Sequence, residues 1–265
     1  MPKNQYLARS SLTITLAVWK ALFLREALSR IFSGRAAWFW LLAEPVIGIV
    51  FLIIIFTVIR MRAVGGIDTA IWLTLGMLVF LMFQRTAKQI MNAIGANRAL
   101  LAYRQVKLID TLVVRAVLEG FLMVFISYIL LAGLSFFGYS VMPDDPLLMG
   151  GAFLGLWCIG IGFGLIASVV ITLIPDLKRV INFFMGPMKI LSGVIFPLSS
   201  MPPQVREWLM LNPVAHGVEA VRLGFSPYYH AVPELDVSYV FICALVTVFF
   251  GLLLHRRFAL KLVVK

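Results

Sequence analysis

Four stretches of this chain are long and apolar enough to cross a lipid bilayer, and nothing else in it limits the fold so sharply. A helix rises about 1.5 Å per residue, so a crossing takes about 17–25 apolar residues. Residues 37–59 meet this with Glu44 as their only charge, and residues 120–141, 147–174 and 237–254 carry none. The helix over residues 120–141 is expected to begin earlier, near Val113. Two weaker runs bring the expected total to six. Residues 70–83 are short before Gln84 and Arg85, so that helix should continue into water. Residues 180–196 contain Lys189 and a Gly186–Pro187 pair, which predicts a kink. With 62% of the 265 residues hydrophobic and 13% charged, a soluble domain, a disordered tail and a disulfide scaffold are all excluded. The fold class is therefore an all-α integral membrane protein.

The net charge of +11 would suggest nucleic acid in a soluble protein, but here it orients the chain. Lys3, Arg9, Lys20, Arg25, Arg30 and Arg35 precede the first span, and Arg85, Lys88, Arg98, Arg104 and Lys107 follow the second. Lys178, Arg179, Arg256, Arg257, Lys261 and Lys265 fall on the same side, whereas only Arg60, Arg62, Arg206 and Arg222 lie on the opposite loops. The positive-inside rule then puts both termini in the cytoplasm of a multi-pass protein. Lys20, Arg25 and Glu26 interrupt the first apolar stretch, so it is read as retained and not as a cleaved signal peptide. Cys158 and Cys243 fall within spans and are expected to be packing residues.

Three segments do not span. Residues 12–32 pattern as an amphipathic helix, with Arg25, Glu26, Ser29 and Arg30 on one side and Trp19, Phe23, Ala27, Leu28 and Phe32 on the other. Glu26 and Arg30 can pair one turn apart. The expectation is an interfacial helix with Trp19 and Phe23 at the headgroup boundary, the alternative being a helix packed on a partner protein. Residues 84–107 form a basic loop in which Gly95 should separate two helices and Asn97 should cap the second. Such a loop is either a place for a soluble partner to push or a solvated connection. Residues 197–234 are too polar to span and too apolar for a simple loop. Pro203 starts a short helix, Asn212–Pro213 ends it, and residues 215–223 form a second before Gly224. This describes a re-entrant hairpin, whose turns require cover from protein or from a water-filled cavity.

No G-x-x-x-x-G-K-[ST], H-E-x-x-H, C-x-x-C or G-x-S-x-G pattern occurs, and His216, His230 and His255 are scattered. The chain is thus not expected to act alone as an enzyme, to hold a metal or to bind a cofactor. Charges inside spans mark function or internal pairing. Glu44 precedes Pro45. Arg115 and Glu119 stand four apart on one helix, where they form a structural pair or a functional one. Lys189 either snorkels or faces an aqueous canal. Gly151-x-x-x-Gly155 and Gly160-x-x-x-Gly164 allow close backbone approach, to a second subunit or to a neighbouring span. Trp40, Trp208, Tyr228 and Tyr229 are either belt anchors or planes on which sugar rings stack.

Three separated motifs carry a family resemblance. "LREALSRIFSGRAAWFWLLAEP" (residues 24–45) resembles the N-terminal motif of polysaccharide exporters, "NRALLAYRQVKLIDTLVVRAVLE" (97–119) their coupling region, and "SGVIFPLSSMPPQVREWLMLNPVAHGVEAVR" (192–222) their hairpin with Asn-Pro and Glu-x-x-Arg. The chain thus resembles a type-2 ABC exporter permease, and "GFSPYYHA" (224–231) resembles the capsular polysaccharide branch of Gram-negative bacteria. The resemblance implies an amphipathic segment over residues 1–35, a transmembrane domain over 36–258 and a cytoplasmic tail over 259–265.

It also implies an inner-membrane homodimer with an ABC ATPase dimer that binds ATP and Mg, a periplasmic co-polymerase or adaptor, and an outer-membrane export protein. The cargo would be a lipid-linked acidic polysaccharide. Asn97, Arg98, Leu101, Tyr103, Arg104 and Lys107, with Arg25, Glu26 and Arg30, would couple to the ATPase. Lys189, Arg206, Arg222, Trp208, Tyr228, Tyr229 and Trp40 would line the canal. Rival readings are an O-antigen or teichoic-acid permease, a small-molecule efflux permease, a proton-driven transporter using Glu44, Asp110 or Glu119, and a membrane glycosyltransferase. The last would need a catalytic carboxylate set on a large loop, which the sequence lacks.

Overall fold

A backbone inside a bilayer must satisfy its own N–H and C=O groups, and helices dominate this protein accordingly. The computed structural model describes residues 11–32, 36–58, 63–101 and 106–264. In chain order these form α1 (Ser11–Phe32), α2 (Ala37–Val58), β1 (Ala63–Val64), β2 (Ile67–Asp68), α3 (Thr69–Met91), α4 (Ala93–Ala96), α5 (Arg98–Leu101), α6 (Leu108–Phe136), α7 (Pro146–Leu173), α8 (Leu177–Leu191), a 3₁₀ turn (Leu198–Ser200), α9 (Pro203–Leu209), α10 (Pro213–Phe225) and α11 (Val237–Val264). Among the described residues five helices, α2, α3, α6, α7 and α11, are long and apolar enough to cross a membrane.

The centre of the protein is α3. Trp72, Leu73, Leu75, Leu78, Val79 and Phe80 have no exposed surface, and α2, α6, α7 and α10 all pack against the helix. The sequence pattern sends its second half into water. Instead Thr86, Ala87, Ile90 and Met91 are buried against protein, and Gln84 Nε2 donates to the Met185 carbonyl of α8 at 3.2 Å. The third span starts at Leu108, ahead of the expected Val113, because the Asp110 carboxylate accepts the Lys107 N–H at 2.9 Å and closes the first turn. Asp145 caps α7 in the same way, accepting from Leu147 N and Leu148 N at 3.1 and 2.9 Å.

The run expected as a fifth span breaks. α8 is 15 residues long, about 22 Å at 1.5 Å per residue, and stops where Gly193 takes φ +69° and turns the chain. The hairpin forms as two helices. Asn212 accepts from Val214 N at 3.0 Å at the head of α10, with Pro213 in its first turn. One element lay outside the sequence reading: β1 and β2 pair antiparallel through Gly65 and Gly66, both at positive φ, and Gly65 O accepts the His230 N–H at 2.9 Å. The basic loop breaks as expected only in part, with α5 starting directly after Asn97. Gly95 lies inside α4, and the interruptions fall at Asn92 and Asn97.

The glycines of α7 serve packing within the chain. A Cβ on Gly155 would come within 2.8 Å of Val240 on α11, while one on Gly160 or Gly164 would reach α3, at 2.8 Å from the Phe83 carbonyl and 2.7 Å from Ile90. Gly164→Ala should therefore cost about 1–3 kcal/mol by overpacking, read as a lower unfolding midpoint in detergent. Gly133→Ala, with nothing within 4 Å of the new carbon, should not lower it. Equal midpoints for the two variants would contradict this seam.

Candidate functional site

Charge in this protein is concentrated at two places inside the helical bundle and in one cavity between them. The first cluster joins α1 to α3 and α6. Glu119 has no exposed surface and takes Arg30 Nη1 at 2.5 Å from α1 and Arg85 Nε at 2.6 Å from α3. Glu26 takes Arg115 Nη2 at 2.9 Å and lies 3.6 Å from Arg30, the pair expected one turn apart. Arg115 also donates to the Gln89 carbonyl at 3.3 Å. Arg115 and Glu119 do not pair with each other. A cation placed N-terminal to an anion is the weaker helical arrangement, and each charge instead meets a partner from another helix.

This cluster revises the reading of α1. Trp19, Leu22, Phe23, Glu26 and Arg30 lie on the covered side, while Leu24, Leu28 and Phe32 are exposed. Trp19 Nε1 donates to Asp110 at 2.8 Å, so that ring is tied to the first turn of α6. Arg25 donates to Asn97, whose amide donates to the Ala93 carbonyl at 2.9 Å. Asn97 thus closes α4 and anchors it to α1. Among the expected coupling residues, Arg25, Glu26, Arg30 and Asn97 are brought together, and Arg98 and Lys107 stand exposed nearby. Tyr103, Arg104 and the Leu101 side chain lie outside the described residues. A shallow cavity of about 430 Å³ lies between this loop and the α7–α8 turn, with Asn92, Gly95, Arg98, Pro175 and Lys178 on its walls.

The second cluster sits under the hairpin. Arg222 has no exposed surface. It donates to the Gly193 carbonyl at 2.8 Å, the Val194 carbonyl at 3.2 Å and the Trp72 carbonyl at 3.4 Å, and its guanidinium stacks 3.6 Å from the Trp72 ring centre. Glu219 lies 3.4 Å from Arg222 and accepts from the Tyr229 hydroxyl at 3.0 and 3.1 Å. Burial pushes the Tyr229 phenol up to about 12, so it stays a donor. Arg222 and Tyr229, expected on the canal, are thus internal struts: Arg222 points from α10 into α3, and Tyr229, beyond the end of α10, closes onto Glu219. Glu219, the partner that balances them, was read only as part of a motif.

The remaining expected canal residues are dispersed. Arg206 is held by Glu234, its Nη2 at 2.7 Å and Nε at 3.0 Å, and this holds the Glu234 carboxyl below the usual range. Trp208 and Tyr228 are exposed at the hairpin end, whereas Trp40 is exposed near the start of α2, beside Phe39. Lys189 lines a cavity of about 340 Å³ between α2, α3 and α8, where it meets Glu44 together with Gln84, Arg85, Lys88 and Gln89. Arg85 is the residue the sequence reading missed. Its signal was present: a carboxylate at Glu119 inside a span requires a cation from somewhere. Among the described residues no group of His, Cys, Asp and Glu could hold a metal ion.

A helical membrane bundle whose amphipathic first helix is bolted to its second and third spans, with a hairpin before the last helix, defines a permease architecture. The profile of the ABC-2 type transporter family matches residues 17–226, and the chain belongs to that family. It is similar to the polysialic acid transport protein KpsM of Escherichia coli, with 32% identity over 250 residues, 94% of this chain and 96% of the relative. The capsule polysaccharide export inner-membrane protein CtrC of Neisseria meningitidis serogroup B is 28% identical over 252 residues, 94% of each chain. BexB of Haemophilus influenzae, a protein of the same description, is 23% identical over 254 residues, 95% of this chain and 94% of its own.

If Glu119 holds α1 in place, Glu119→Leu leaves Arg30 and Arg85 buried without their shared anion, at a cost of about 3–5 kcal/mol. Amide hydrogen exchange should then quicken across α1, with the α7–α11 pair less affected. Unchanged exchange in α1 would show that the helix is held by other contacts.

Proposed function

We propose that this chain is the membrane-spanning permease of an ATP-driven exporter that moves lipid-linked capsular polysaccharide across the inner membrane. The observation that carries this reading is the similarity, over nearly the whole of both chains, to inner-membrane proteins of capsule polysaccharide export.

The reading takes the chain as crossing six times. α7 ends beside the Ile94, Val169 and Leu262 cluster at the α1 end, and α8 starts there at Leu177. The Val194 carbonyl then meets Arg222, which belongs to the helix whose far end bonds to Asp144 and Asp145 before α7. α8 and the turn after it, with α10 folded back alongside, thus make the fifth crossing in two pieces. Both termini lie on the cytoplasmic side, as the excess of basic residues requires.

Two copies of the chain work with an ATPase dimer that binds ATP and Mg. That dimer docks on the hollow between the α4–α5 loop and the α7–α8 turn, where Arg98 and Lys178 are presented. A push on this loop reaches α1 directly through Asn97 and Arg25. Lys189 faces the pathway, Trp208 and Tyr228 meet sugar at its outer end, and periplasmic and outer-membrane partners continue the route. The cargo is acidic, so positive potential along the path draws it in.

The test is surface capsule in a strain lacking its own permease, complemented by this chain together with its ATPase. Restored capsule is the expected result. A strain that remains uncapsulated with the protein present in its membrane would end this reading.

A further inference from the structure

The cavity between α2, α3 and α8 holds positive charge that the protein itself leaves open. Arg85 in its wall is committed to Glu119 at 2.6 Å. Lys88 and Lys189 are not committed: both line the cavity, and among the described residues neither forms an ion pair. Glu44 lines the α2 wall and pairs with neither. With Arg85 neutralised, two ammonium groups against one carboxylate leave a surplus of one positive charge. Half-buried lysines brought together away from bulk water call for an anion beside them.

The shape of the cavity selects the kind of anion. Its walls carry Gln84, Lys88, Gln89 and Lys189 as polar groups and Pro45, Met77 and Leu81 as apolar ones. Beyond Glu44, α2 exposes Ile47, Phe51 and Ile54, an apolar strip open to lipid. A small soluble anion would satisfy the lysines but leave the apolar walls uncovered. An amphiphile with a singly charged head meets both kinds of wall, and can arrive sideways along α2.

We propose that this cavity binds the phosphodiester headgroup of an anionic lipid, with the phosphate between Lys88 and Lys189 and an acyl chain along Pro45, Met77 and Leu81. The same chemistry is offered by a phospholipid of the surrounding bilayer and by the lipid end of an exported glycan. Binding of the first kind is independent of the export reading, and binding of the second kind rests on it.

The experiment is native mass spectrometry of the full chain in detergent, titrated with phosphatidylglycerol or with zwitterionic phosphatidylcholine. The wild type should take up phosphatidylglycerol at about tenfold lower concentration, and Lys88→Gln with Lys189→Gln should abolish that preference. Arg256→Gln with Lys261→Gln, both exposed on α11, should keep it. Should the first pair fail to fold, Glu44→Gln is the second measurement, because removing the opposing charge should strengthen the preference. Equal uptake of the two lipids by the wild type, or a preference untouched by the Lys88 and Lys189 changes, would overturn the proposal. Displacement of the lipid by millimolar inorganic phosphate would overturn the need for an amphiphile.

The source is separated by purifying the chain from cells that make the glycan and from cells that do not. A phospholipid adduct in both, lost in the Lys88 and Lys189 variant, identifies bilayer lipid. A heavier adduct only in producers, lost in the same variant, identifies the cargo. These readouts do not depend on whether capsule is restored in the complementation assay.

Discussion

Arg222 is the residue on which the packing of the hairpin depends. A chain that turns back inside a membrane leaves carbonyl groups that no helix satisfies and no water reaches, and each is costly in hydrocarbon. The Arg222 guanidinium answers that demand at the Gly193 and Val194 carbonyls and adds a bond to the Trp72 carbonyl of α3, so one side chain ties α10 to the turn after α8 and to α3. It comes so close to α3 that a Cβ on Gly76 would lie 2.4 Å from Nη2, which leaves only glycine there. Glu219 balances the charge and is itself held by the Tyr229 hydroxyl. The spacing of Glu219 and Arg222, one turn apart on α10, follows from this geometry.

At the other end of the bundle the same logic fixes α1. Glu119 and Glu26 each sit between guanidinium groups from different helices, and a buried ion pair broken on one side costs more than the intact pair gains. Such a cluster contributes a defined position more than net stability. The two clusters are joined through α3, which carries Trp72 and Gly76 at one end and Arg85 at the other. A movement of α1 under load from a docked ATPase would therefore be passed to the central helix by a charge contact, and from there toward the hairpin. The cavity holding Lys189 lies along this line, and Arg85 belongs to both.

How much of this was legible follows the physics of each element. Residues 37–58, apolar but for Glu44, and residues 146–173, which carry no charge, are long enough for their helices to be read directly. The break in α8 could not, because nothing local at Gly193 distinguishes a positive φ from a helical glycine. Arg115 and Glu119 were seen as neighbours on one helix, yet their partners come from α1 and α3, which only tertiary packing brings near. For α1, the charged residues looked like the wet face. Glu26 and Arg30 in fact face the protein, because the bilayer offers a worse place for them than a network of opposite charges. The canal role that the resemblance implies for Arg222 is not what its surroundings support. Its place three residues after Glu219 on one helix is what marks it as internal.

The most direct test of the account is transport in a closed system. The chain and its ATPase are reconstituted together in proteoliposomes, with labelled lipid-linked capsular glycan in the outer leaflet, and glycan protected within the lumen is measured with and without ATP. The account predicts ATP-dependent accumulation for the wild type and its loss when Glu219→Gln loosens the hairpin while the complex stays assembled. No ATP-dependent accumulation by an assembled, ATP-hydrolysing wild-type complex would contradict it.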